Sequence, residues 1–159
     1  MDILSFVVVG LLAVLGVSAL VEFYKKTIRK DKAKTWEIRV AAAILSIGAS
    51  TLMCLSGLAY LFFPNIIINI AIYAAVIFLL QLFLDMKVIK KILNSALEYL
   101  DLDKFVTTVL GKLGITKDKI LKILEALNIT EDKLREALKE AGVSDDVIEK
   151  IVKILYESN

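Results

Sequence analysis

The chain has 159 residues, 58% of them hydrophobic and 24% charged, with a formal net charge of +2. Its mean hydropathy of +0.73 fits a chain far more apolar than soluble domains, which carry about 45–50% apolar residues. With no histidine and one cysteine, Ser-His or Cys-His nucleophile pairs, His-ligated metals and internal disulfides are excluded, and the near-neutral charge leaves no footprint for nucleic acid. The expectation is an all-α membrane protein that is no enzyme and needs no cofactor.

About 20 apolar residues cross the hydrocarbon core of a bilayer. Residues 3–23, 40–63 and 66–86 each meet that length, and their only acids, Glu22 and Asp85, sit at segment ends. Three transmembrane helices are therefore expected within residues 1–86. The first lacks the positive flank of a cleaved signal peptide and is expected to remain as a span.

Lys25, Lys26, Arg29, Lys30, Lys32, Lys34 and Arg39 lie between the first two spans, against Asp31 and Glu37. Lys87, Lys90 and Lys91 follow the third, whereas Asp2 is the only charged side chain before the first. The positive-inside rule then places the N-terminus outside, and the basic loop and C-terminus inside, the cytoplasmic membrane. The dipeptide Pro64-Asn65 predicts a tight hairpin between spans two and three.

Small residues recur along span one as Gly10, Ala13, Gly16 and Ala19, and along span two as Ala42, Ser46, Ser50 and Cys54. In lipid, close approach through small residues holds helices together, so both stripes are expected to pack helices within one copy or between copies. Ser46 and Ser50, with Thr51, are also expected to line water if several copies form a ring. Asn69 is expected to cap the outer end of span three, and the deeper Gln81 to find an interhelical partner. Cys54 reads as an inert packing residue. With no ionisable residue at mid-membrane, ion-coupled transport is disfavoured.

Residues 87–99 carry a helical apolar stripe beside lysines and read as an amphipathic linker. That linker is expected to extend span three into the cytoplasm, the other choice being to lie on anionic lipid. Residues 100–159 then read as a cytoplasmic helical domain. In rows of fourteen, 115–156 is ITKDKILKILEALN, ITEDKLREALKEAG and VSDDVIEKIVKILY. Thr116, Thr130 and Ser144 share the helix N-cap column, with Asp101 beginning a fainter first copy. Gly114, Asn128 and Gly142 share the column where a left-handed C-cap ends each helix. The Asn128-Ile129-Thr130 glycosylation pattern is explained by these caps. Four short helices follow, too small to bury a large core alone and therefore expected to pack on other copies or on a cytoplasmic protein partner.

In topology and composition, residues 1–100 resemble a three-span phage holin, with an outer N-terminus, a short second hairpin and a small-residue second span. That resemblance implies a homo-oligomer that opens a lesion in the cytoplasmic membrane, here with a tail that drives assembly or gating. The tail itself points to the other expectation, a non-catalytic membrane anchor whose helical repeat binds a protein partner.

Overall fold

The structure is a computed structural model describing residues 1–30 and 32–157; Asp31 of the basic loop, and Ser158 and Asn159 at the end of the expected tail domain, lie outside the described residues. Among the described residues all regular structure is helical, with eight α-helices and no strand. Helix α1 (Ile3–Phe23) runs into a π-turn (Tyr24–Ile28), and is followed by α2 (Thr35–Leu55) and α3 (Ile66–Phe83). The tail holds α4 (Met86–Tyr99), α5 (Leu102–Leu113), α6 (Lys117–Ala126), α7 (Glu131–Glu140) and α8 (Asp145–Val152), which ends in a π-turn (Lys153–Glu157). By length and hydropathy, α1 with its π-turn, α2 and α3 are each able to cross a membrane, with 26, 21 and 18 residues.

Helix α2 differs from the expected second span at both ends. It begins five residues earlier and stops at Leu55, although the sequence stays apolar to Phe63. Gly57, at φ +69°, is the reason. Its N–H donates to the Cys54 carbonyl at 3.4 Å, and the N–H of Leu58 donates to the Met53 carbonyl at 2.9 Å. This pair of bonds is the Schellman closure, accompanied by burial of Leu58 and Met53. The two spans are thus joined by ten residues, 56–65, rather than by a bare Pro-Asn turn.

The expected continuation of α3 into the tail is also corrected. Leu84 and Asp85 are both extended, with ψ 135° and 132°, and the Asp85 carboxylate accepts the N–H of Lys87 at 2.9 Å. An aspartate that takes over a backbone N–H starts a new helix, which hydropathy alone does not register. Helix α4 then turns back along α1. Its first turn, with Met86 and Lys90, faces Ala19 and Glu22, and its end brings Leu100 and Asp101 beside Met1 and Ser5. Ile89, Leu93 and Leu97, four residues apart on one face, are buried in the same core as Val8, Val14 and Val17.

Helix α1 is therefore central, touching α2, α3 and α4. Helix α5 reaches the far end of α2, where the Lys112 ammonium bonds the Gly57 carbonyl. Helix α8 buries Val147, Ile148 and Val152 and touches α4, whereas α6 and α7 bury no residue. The outer faces of α2 and α3 stay apolar and exposed, with Ile44, Ile47, Ile72 and Phe83 among the uncovered side chains.

The tail helices end in a shared way. Gly114, Asn128 and Gly142 have φ of +68°, +57° and +86°. The residue after each donates to the carbonyl five positions back, at 2.9 Å from Ile115, 2.8 Å from Ile129 and 3.0 Å from Val143. At the helix starts, Asp101, Thr116 and Thr130 accept from the N–H three residues on, at 3.2, 3.3 and 3.4 Å. Ser144 stands at the N-cap of α8, but its hydroxyl is buried without a partner, unlike the cap expected there.

Two glycine substitutions separate these roles. Gly57→Ala forces a side chain into the left-handed region and should destabilise the bundle by about 1–2 kcal/mol. Gly48→Ala meets nothing within 4 Å and should be neutral or stabilising by up to ~1 kcal/mol. Unfolding of the detergent-solubilised protein measures both, and equal tolerance would remove the proposed stop at Gly57.

Candidate functional site

The candidate site is the set of small and polar residues on α1–α3, because in hydrocarbon every polar group needs a partner within the chain. On α2, Ala42, Ser46, Ser50 and Cys54 point inward, and Ser46 and Ser50 are 0% exposed. The Ser46 hydroxyl donates to the Ala42 carbonyl at 2.7 Å, and Ser50 and Thr51 both donate to the Ile47 carbonyl, at 2.9 and 2.7 Å. Each hydroxyl is thus consumed by its own helix, and the stripe serves as a packing seam.

The stripe on α1 is placed differently. Gly10 and Ala13 are half-buried, Gly16 and Ala19 are exposed, and a Cβ at Gly10 or Gly16 would meet nothing within 4 Å. Gly16 instead borders two apolar grooves. One, of about 470 Å³, lies between α1, α2 and α5; the other, of about 520 Å³, lies between α1, α4 and the α7–α8 corner. Gln81 ties α3 to α1, its amide donating to the Val14 carbonyl at 3.3 Å.

The most complete polar arrangement belongs to Asn69, which is 1% exposed. Its carbonyl oxygen accepts the N–H groups of Phe62 and Phe63, at 2.8 and 3.2 Å. Its amide donates to the carbonyls of Phe63 and Asn65, at 2.8 and 3.0 Å. One side chain therefore fastens the irregular segment before α3, while the helix cap itself is Asn65, accepting from Ile67 at 2.9 Å. The Tyr73 hydroxyl adds a bond to the Tyr60 carbonyl at 2.7 Å, and the Tyr60 hydroxyl bonds the Met1 carbonyl. Phe6 packs edge-on against both rings, with centroids 5.1 and 5.8 Å away. The sequence expectation of a simple cap missed this clasp, although an Asn four residues after Asn65 was a usable signal.

The opposite end of the bundle is basic. Arg29 donates from Nε and Nη2 to the two oxygens of Glu37, at 3.1 and 2.9 Å, and Glu37 also accepts the N–H of Lys34 at 3.2 Å. This fork closes the loop after the π-turn. Lys25, Lys26, Lys32 and Lys34 have no ion pair with a described acid. Among the described residues there is no group of three or more side chains fit to hold a metal.

At the N-terminus, the backbone N–H of Ser5 holds the Asp2 carboxyl below its ordinary range. In the tail, the Arg135 guanidinium donates hydrogen bonds to Glu149 and Glu131, which raise its pKa, and the first of them ties α7 to α8.

Replacing Asn69 with Leu keeps the volume but strands two N–H groups and two carbonyls, and should destabilise the fold by about 3 kcal/mol. Gln81→Leu removes one long interhelical bond and should cost only about 0.6 kcal/mol. Unfolding in detergent with increasing dodecyl sulfate measures both; equal costs would refute the organising role of Asn69.

No protein family, curated protein or solved structure matches the chain. The membrane assignment accordingly stands on its three long apolar helices, which are consistent with a multi-pass membrane protein.

Proposed function

We propose that this chain is a non-catalytic, multi-pass anchor of the cytoplasmic membrane whose helical tail binds a protein partner. The N-terminus lies outside, with the basic loop and tail inside. The observation that carries this reading is the state of α6 and α7. Both are amphipathic, yet neither buries a residue, and Ile123 and Leu127 are exposed. Ile123 and Leu127, one turn apart on α6 and its C-cap, leave an open apolar strip that suits an interaction surface, whereas Leu134 and Leu138 of α7 are half-covered. The matching corners at Gly114, Asn128 and Gly142 support treating the tail as a repeat whose outer units need neighbours. The cations clustered where α1 ends and α2 begins support the inside assignment of that end.

A second reading is the holin-like oligomeric pore. One observation favours it: the edge of α1 at Gly10 and Gly16 is open enough for another helix to approach closely. Against it, the hydroxyls of Ser46 and Ser50, expected to line a channel, are buried, and these two and the half-exposed Thr51 are all bonded within α2.

Chemical cross-linking in native membranes tests the anchor. The wild-type chain should give an adduct larger than the monomer. Ile123→Glu with Leu127→Glu should abolish that adduct and, both positions being exposed, change stability by no more than ~0.5 kcal/mol. An undiminished adduct would overturn the tail's binding role. Cells expressing the full chain should exclude a membrane-impermeant dye; entry of dye would favour the pore instead.

A further inference from the structure

If α1–α3 cross a bilayer, α4 is in the wrong place for one. Its 14 residues run back along α1, from beside Glu22 at the basic end to beside Met1 at the other. Packed there, it would carry Lys87, Lys91 and Glu98, all exposed on its outer face, through the depth of the hydrocarbon. Ionisable side chains at that depth are rare and face protein or water.

The two surfaces in contact respond to lipid differently. The face of α1 under α4 presents Leu12, Leu15, Gly16 and Ala19, a largely apolar surface that acyl chains cover as well as another helix does. Among the described residues, no hydrogen bond or ion pair joins α4 to α1. The stripe of Ile89, Leu93 and Leu97 needs apolar cover in any water-facing state, and Lys87, Lys90 and Lys91 flank it. That combination fits the boundary between headgroups and acyl chains. The link at Leu84 and Asp85 is extended, so α4 is free of α3's helical register. Around that link, at the same end of the bundle, stand Lys25, Lys26, Lys32 and Lys34, a surface complementary to anionic headgroups.

Building on the three-span reading above, we propose that in the membrane α4 leaves α1, pivots at Leu84 and Asp85, and lies along the anionic phospholipid surface at the basic-loop end. The face of α1 that α4 covered then meets acyl chains, the Lys112–Gly57 bond is released, and α5–α8 are carried to the side of the basic loop. The structure described here is the arrangement in which α1 serves as the cover that lipid later supplies.

Paired spin labels on the full chain test this, at Ile3→Cys and Tyr99→Cys in a Cys54→Ser background; the two labelled positions are 75% and 84% exposed. In detergent the labels should report neighbouring helices, whose axes lie ~10 Å apart. In phosphatidylcholine vesicles containing phosphatidylglycerol they should separate by about 30 Å or more, the thickness of the hydrocarbon. Lys87→Gln, Lys90→Gln and Lys91→Gln should each shift the population back toward the short distance, by about fivefold per lysine. A short distance in the anionic vesicles overturns the proposal, as does an equally long one in pure phosphatidylcholine. Alkaline carbonate extraction identifies which reading has failed. Protein released by carbonate refutes the three spans and this inference together, whereas protein retained with a short distance refutes this inference alone.

Discussion

The structure depends on where its backbone polar groups find partners once water is excluded. A helix satisfies its own interior, so three long helices present little difficulty. The exposed points are the ends, and above all the ten residues between α2 and α3, which are apolar in sequence but not helical. Asn69 resolves that segment with two acceptances and two donations from a single amide. Tyr73 and Tyr60 then fasten the same end to the following helix and to the first residue of the chain. A buried amide with all its bonds made gives this end one defined geometry, whereas an unpaired amide in the same place would be strongly destabilising.

Hydropathy and end chemistry carry different information, and the sequence was legible where they agree. Helices α1 and α3 begin where expected because Asp2 and Asn65, each accepting a backbone N–H, coincide with the start of an apolar run. Hydropathy overruns the end of α2 because Leu58 through Phe63 remain apolar while Gly57 has already closed the helix. Hydropathy also hides the break before α4, because Asp85 is at once a charge at the end of an apolar run and an N-cap. The tail, poor in long apolar runs, left only its caps to read, and there the corners at Gly114, Asn128 and Gly142 fall as the fourteen-residue spacing suggested.

The small-residue stripes show what one sequence cannot separate. Ala42, Ser46, Ser50 and Cys54 recur every four residues and form a buried seam; Gly10, Ala13, Gly16 and Ala19 recur every three and lie half-open beside two grooves. On an isolated helix both patterns mark a face where close approach is possible. Which face is used depends on the direction in which the neighbouring helix leaves its connecting loop. The α2–α3 connection is held by Asn69, whereas α1 reaches α2 through the π-turn and the Arg29–Glu37 fork.

The distribution of charge ties these parts together. Beyond Arg39, near the start of α2, the outer faces of α2 and α3 are bare of charge, while the far side of α1 is covered by tail helices whose outward surfaces are charged. A body with one apolar and one charged side cannot be surrounded by lipid as it stands, nor dissolve in water as it stands. Its apolar side requires hydrocarbon, and its charged side requires water or headgroups. The two are joined at α5, where Lys112 bonds the Gly57 carbonyl, and along the α1–α4 contact, which has no polar bond between its two helices and is the contact that lipid can replace. Packing among α1, α2 and α3 is different in kind, because the Gln81 bond and the Asn69 clasp gain strength as water is removed. Entry into a bilayer should therefore tighten the three-helix unit and loosen its cover, leaving the capped tail as the part free to meet a partner.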